Sequence, residues 1–271
     1  MNVVVLMGGL GNQLFQFALG LVLEKNGKQV VFDNSWYTRK GSTNPAYLRP
    51  YCLDKFQIPP LHFEPIITSN PAIMENKVGF NPGIFQMRND NNFYGYWQYY
   101  SYYTDIFPIL RQSLQIKSDF YTPEFLKVAD KILDSNSVSV HVRIGDYVDK
   151  RKGQFNNLSL KYYFDAIRET EGDLYIFSDD IPWCKQTFDP KYFLRKIFFI
   201  DQADYLCFEL MRFCQSHIVT NSTFCFWAAL LDDNPNKRVI CPKHYLGDSE
   251  EYSNEYRWPE EWIKIEDYKN V

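Results

Sequence analysis

The chain has 271 residues, of which 45% are hydrophobic and 18% aromatic, and a formal net charge of -4. That length allows one large domain or two ordinary ones, with enough apolar content for real cores. Without a basic block, the charge argues against a nucleic-acid partner.

Val3 to Met7 reads as a buried strand, "GGLGNQ" (Gly8 to Gln13) as a turn, and Leu14 to Lys25 as an apolar helix. Gln29 to Asp33 follows as a second strand, completing a β-loop-α-β unit. Residues 34–130 are irregular and rich in Pro and Tyr, and read as loops and helices that complete a first domain. From Ser137 the alternation returns, with strands expected at Val138 to Val142, Leu174 to Ser178, Lys196 to Ile200, His217 to Thr220 and Arg238 to Cys241. Helices are expected between them at Leu160 to Glu169, Ala203 to Gln215 and Thr223 to Leu231. Strands spaced by helices predict an α/β fold with a parallel sheet covered on both faces. The domain boundary is placed near Asp130, giving domains 1–130 and 131–271, with the final "WPEEWIKIEDYKNV" packing back as a helix or tail.

The six cysteines (Cys52, Cys184, Cys207, Cys214, Cys225 and Cys241) form no C-x-x-C pair and mostly sit in apolar runs, which predicts free, buried thiols in a reducing compartment. The four histidines (His62, His141, His217 and His244) show no zinc-site spacing, so no metal is expected. The N-terminal apolar run lacks the basic flank and length of a signal peptide, and no run is long enough to span a bilayer. A cytoplasmic protein is expected, with at most loose association at the inner membrane face.

Ligands of open parallel sheets bind at the carboxyl ends of the strands. Four polar stretches of the second domain share that rim: "RIGDY" from Arg143, "SDD" (Ser178 to Asp180), "DQAD" (Asp201 to Asp204) and "TNSTF" (Thr220 to Phe224). Arg143 has the planar fork for an anionic ligand, or else pairs with Asp146 or another rim carboxylate. His141 shares its strand face. Ser222 and Thr223 either cap the following helix or help its N-terminus receive a phosphate. Asp179 and Asp180 offer carboxylates to a base, ribose or metal, or form a solvated turn. "GGLGNQ" fits neither common phosphate-loop pattern. Its glycines, Gly11 among them, allow close backbone approach to a ligand, and Asn12 and Gln13 add amides. The aromatic run from Phe93 to Tyr103 is either a sugar-stacking platform or core.

Taken in order, "GGLGNQLFQFALG", "GYWQ", "HVRIGDYV", "LSLKYY", "FSDD" and "VTNSTFCFWAALL" resemble the α-1,2-fucosyltransferase family, glycosyltransferase family 11, across most of the chain. The resemblance implies a GT-B-like architecture of two Rossmann-type domains facing across a cleft. It implies GDP-fucose as donor, inversion at the anomeric carbon, and neither cofactor nor required metal. By position, Arg143 would hold the diphosphate, His141 and Asp179 the guanine, and Ser222 and Thr223 the phosphate at the helix start. Asn12 would line the fucose side. The acceptor would be a β-galactoside-terminated glycan, met by Trp97, Gln98 and Tyr99 of the first domain. Asp146 and Asp33 are the carboxylates available as a base. Many family members carry a second arginine at the position of Ile144, and a polar run where this chain has "YYSYY". Other GDP-fucose transferases (α-1,6 or protein O-), a non-catalytic nucleotide or glycan-binding module, and a Rossmann-type methyltransferase are the competing readings.

Overall fold

The structure is a computed structural model that describes residues 1–38, 49–75, 79–143, 158–244 and 258–266. It divides into two compact units, the first drawn from Met1–Gln115 and the second from Ile116 onward. The division therefore falls after Gln115 rather than near Asp130. Helix α4 (Pro123–Leu133), capped by the Thr122 hydroxyl on Phe125 N–H at 3.0 Å, belongs to the second unit. Phe125 packs there on Phe213, ring centroids 6.2 Å apart.

The first unit carries a parallel sheet of β1 (Asn2–Val5), β2 (Val30–Asp33), β3 (Ala72–Met74) and β4 (Asn92–Tyr94), in the order β2-β1-β4-β3. Among its described helices are the short α2 (Ser35–Thr38) and α3 (Phe107–Ser113). α1 runs Leu10–Lys25, so it starts earlier than expected and takes Gly11, Asn12 and Gln13 into its first turn. Gly9, extended at φ -76° and ψ 174°, serves as its N-cap, which shortens the turn to Gly8 and Gly9. Apolar residues cover nearly the whole circumference of α1, and most of it is buried.

The second unit holds six parallel strands: β5 (Ser137–Val142), β6 (Asp173–Ser178), β7 (Ile197–Ile200), β8 (Ser216–Ile218), β9 (Arg238–Pro242) and β10 (Ile263–Ile265). Their order is β10-β9-β8-β5-β6-β7. Counted as strands one to six, this is the doubly wound 3-2-1-4-5-6 arrangement of dinucleotide-binding folds. Between strands lie α5 (Leu160–Arg168), α6 (Ile181–Thr187), α7 (Asp204–Arg212) and α8 (Thr223–Leu231). The described part of the C-terminal stretch packs back as expected, but through a strand rather than a helix or tail. Its Ile263–Ile265 segment pairs with β9, Ile263 opposite Ile240, while Trp258 and Trp262 pack on Phe226 of α8. The fold is α/β, each unit built on a parallel sheet.

All six cysteines are free, and all but Cys207 are buried. Among the described residues, no helix is long and apolar enough to cross a membrane.

Gly20 of α1 tests how tightly helix and sheet are packed. A Cβ there would meet the Phe32 ring at 2.4 Å, and Phe32 is itself 4% exposed. Alanine favours a helix by about 1 kcal/mol over glycine, whereas overpacking a core costs roughly 1–3 kcal/mol. The clash should win. Gly20→Ala is expected to lower the urea midpoint, and an unchanged or raised midpoint would show that Phe32 yields freely.

Candidate active site

Sheet order creates the site. After β5 the chain builds outward through β6 and β7, then returns to the other side of β5 as β8. The reversal lies between β5 and β8, where a doubly wound sheet opens a crevice at its carboxyl ends. Register makes the opening visible. β5 pairs with β6 as far as Val142 opposite Ser178, but with β8 only to Val140 opposite Ile218.

Arg143 follows the last residue of β5, and Asp179 follows the last residue of β6. The register carries them level, and Arg143 Nη1 meets Asp179 Oδ2 at 3.3 Å. Arg143 thus has a rim carboxylate, supplied by Asp179. Asp146 lies outside the described residues. Both side chains keep about a quarter or less of their surface, 20% and 25%. A pair with this access to water contributes on the order of 1 kcal/mol, small enough for a charged ligand to displace it.

Across the crevice, Thr220 to Ser222 lead into α8. His141 is 5% exposed and joins the two sides, its Nδ1 2.9 Å from Thr220 Oγ1. Burial, and secondarily the Arg143 charge, lower its pKa to about 3, so the ring is neutral near pH 7. Ser222 occupies the N-cap position of α8 with extended backbone, yet its side chain makes no capping bond. The hydroxyl cap that the sequence offers is not made, and Cys225 ties the turn that precedes the helix. Its thiol accepts from Thr220 N–H at 3.3 Å and reaches Ser222 O at 3.3 Å. The positive end of a nine-residue helix, with Ser222 and Thr223 at its mouth, is therefore presented at the crevice.

Two other rim stretches contribute less. Asp180 caps α6, its Oδ1 accepting from Trp183 N–H at 3.0 Å. Asp201 and Asp204 stay exposed beside edge strand β7. Deeper in the unit, Ser139, His217 and Asp232 form a chain that imitates a catalytic triad. His217 Nδ1 is 2.9 Å from Ser139 Oγ, and its Nε2 is 3.0 Å from Asp232 Oδ2. Ser139 and His217 are both 0% exposed, so the chain is a structural tie between sheet and helix.

In the first unit, "GGLGNQ" and "GYWQ" are knit together. Gln98 donates to Asn12 Oδ1 at 2.9 Å, and Gln16 donates to Gly95 O at 2.9 Å. Gln13 is fully buried and holds Pro50 O and Cys52 N–H, each at 2.8 Å. Gly8 has a φ of +81°, and a Cβ there would strike Asn12 at 2.7 Å, so glycine is required twice over. Gly11 is buried in the helix. Trp97 and Tyr99 are each 1% exposed, so neither ring has a face to offer a sugar; they are core, as are Tyr102 and Tyr103. Tyr96 is the cluster member that faces water, at 38% exposure. Asp33 is not available as a base. Its carboxylate accepts backbone N–H groups of Ser35 at 2.7 Å and Ile66 at 3.3 Å.

Several supporting residues escaped the sequence reading. Glu75 accepts from the backbone of Tyr96 at 2.7 Å and of Gln98 at 3.1 Å, and nothing in the sequence flags it. Cys225 reads as an ordinary apolar position. Tyr162 and Tyr163 were visible only as part of "LSLKYY". Among the described residues, no group of three or more His, Cys, Asp or Glu is arranged to hold a metal.

A doubly wound unit with an arginine and a helix N-terminus at its switch point is a nucleotide-binding arrangement. Residues 76–266 match the model of glycosyl transferase family 11, and the chain belongs to that family of glycosyltransferases. An Escherichia coli protein named alpha-1,2-colitosyltransferase is 29% identical over 304 residues, covering 98% of this chain and 100% of the relative. The E. coli O-antigen biosynthesis glycosyltransferase WbnK is 25% identical over 290 residues, covering 89% of this chain and 93% of that protein. Among solved structures, NodZ alpha-1,6-fucosyltransferase soaked with GDP-fucose gives a TM-score of 0.48 at 14% identity, covering 85% of this chain and 91% of that one. POFUT1 in complex with GDP-fucose gives 0.48 at 13%, covering 89% and 97%.

The two buried histidines make stability depend on pH. Burial lowers the pKa of both from 6.5, and for His141 to about 3. Below pH 6.5 the unfolded chain binds protons that the folded one refuses, so stability falls with falling pH until the folded value is passed. His141 contributes up to about 1.4 kcal/mol per pH unit in that window, and His217 acts in the same direction. Urea midpoints should drop from pH 7 to pH 5, and equal midpoints would mean that these rings protonate in place.

Proposed function

We propose that the chain moves fucose from GDP-fucose, with inversion, to the 2-hydroxyl of a terminal β-galactoside. The carrying observation is the convergence of Arg143 and the α8 N-terminus on one crevice, coupled through His141 and Thr220. Loss of GDP from the donor leaves an oxocarbenium-like sugar and builds negative charge on the β-phosphate. Arg143 meets that charge with a two-donor fork, and the first turn of α8 meets it with backbone N–H groups and the Ser222 and Thr223 hydroxyls. In this reading the reaction requires no metal and no cofactor. Asp179, released from Arg143, turns to the guanine, and neutral His141 stays at the nucleoside side.

The incoming hydroxyl must lose a proton. Asp33 is committed elsewhere, and a largely dissociative displacement asks little of a base at the moment of transfer. Asp146 is retained for that role from the sequence alone. The first unit serves the acceptor and the fucose edge, through Asn12, Gln98 and the exposed ring of Tyr96. The relative named alpha-1,2-colitosyltransferase supports a second reading of the donor. Colitose is fucose without its 3-hydroxyl, so the same phosphate machinery serves either sugar.

GDP release from GDP-fucose or GDP-colitose, with and without lactose and in excess EDTA, tests the assignment. Linkage analysis of the product completes it. We expect galactoside-dependent release that survives EDTA and a 1,2-linked product. Arg143→Ala should cut turnover on the order of 10²–10³-fold, and Arg143→Lys should fail too because a point charge cannot replace the fork. Near-normal turnover in folded Arg143→Ala, or activity restored only by Mn²⁺, would overturn the mechanism. Preference for GDP-colitose would select the second donor.

Tyr96 gives a separate test of the acceptor side. Tyr96→Ala should raise KM for lactose several-fold while KM for the donor stays within error. A parallel change in both constants would make Tyr96 a structural residue.

A further inference from the structure

The sheet does not fix the distance between Arg143 and the start of α8. Pairing of β5 with β8 ends at Val140 and Ile218, so among the described residues no ladder bond spans the crevice beyond them. Two adjacent side chains of α5 meet its two walls. Ser159 caps that helix on Tyr162 N–H at 3.3 Å, which starts α5 one turn before the tyrosines. Consecutive helical positions point about 100° apart, so one helix addresses two different strands. Tyr162 donates its hydroxyl proton to Val219 O, with Ile240 O 3.5 Å away. Tyr163 accepts from the Arg143 backbone N–H. The rings lock each other edge to face at 5.3 Å, and they are 0% and 3% exposed. A buried hydroxyl left without a partner costs roughly 1–3 kcal/mol, so both ends of this brace are held.

We infer that Tyr162 and Tyr163 are positioning residues that set the width of the crevice, one bracing the peptide before Thr220 and the other the backbone of Arg143. The inference rests on the reading of this crevice as the diphosphate site. An arginine and a helix end must be separated by the span of two linked phosphates to grip both. A shift in either wall weakens the grip on the second phosphate more than it weakens nucleoside binding. The brace thus acts on selectivity for a diphosphate.

Calorimetric titration of the full chain with GDP and with GMP reads this directly. Wild type should prefer GDP, and Tyr163→Phe and Tyr162→Phe should each lower the ratio of GMP to GDP dissociation constants roughly five- to tenfold. Both variants keep the buried rings. Phe188→Leu is the control, because it loosens packing against Tyr163, 5.9 Å away between centroids, without touching a hydroxyl. It should lower thermal stability and leave the ratio unchanged. Unchanged ratios in both Phe variants would overturn the brace while leaving the diphosphate site standing. An equal loss in Phe188→Leu would also overturn it, because packing would then explain the effect. A wild type that fails to distinguish GDP from GMP would remove both the brace and the site on which it rests.

Discussion

Everything at the candidate site depends on one mismatch of register. β5 stays hydrogen-bonded to β6 through Val142 but leaves β8 after Val140. The two extra residues bring Arg143 level with Asp179 on one side and open a gap toward Thr220 on the other. A sheet closed to the same height on both sides of β5 would bury the arginine against backbone. The open side gives its guanidinium access to a ligand, and the unpaired strand ends must then be held by side chains.

That need accounts for several of the buried polar groups. His141 ties β5 to Thr220 at the mouth of the crevice. Farther down, His217 links Ser139 to Asp232, which sits at the C-cap of α8. Lys237 then donates to Ala229 O at 2.8 Å, placing a cation against the negative end of the same helix. α8 is apolar and buried through its middle, where packing alone resists sliding along its axis poorly. Polar ties at both ends fix that slide, and with it the position of its N-terminus at the crevice. Neutral histidines suit this work because they give directional bonds without adding a charge of their own.

Much of the second unit was legible in the sequence. Runs such as Val138 to Val142 and Leu174 to Ser178 are short, apolar and followed by polar residues, so both the strands and their functional ends could be read. What pattern cannot carry is order across the sheet. The switch point beside β5, and the pairing of Arg143 with Asp179, follow from neighbours distant in sequence. Of the four three-residue strands, β3, β4 and β10 carry no periodic signal, and only β8 was legible. Trp97 and Tyr99 were misread because an aromatic side chain looks the same whether it lines a surface or fills a core. Trp97 shows why it went inward: its positive φ of 57° turns the indole under β4, edge-on to Phe93 at 5.9 Å. Ser222 looks like a cap by residue type, yet in the folded turn its side chain makes no capping bond.

The central claim is that the β5–β8 crevice receives a diphosphate through Arg143 and the first turn of α8. The most direct measurement is a crystal structure of the protein with GDP bound. The account predicts the β-phosphate within hydrogen-bonding distance of the Arg143 guanidinium and the N–H groups that open α8, with the Arg143–Asp179 pair separated. Nucleotide bound elsewhere, with Arg143 still paired to Asp179, would contradict it.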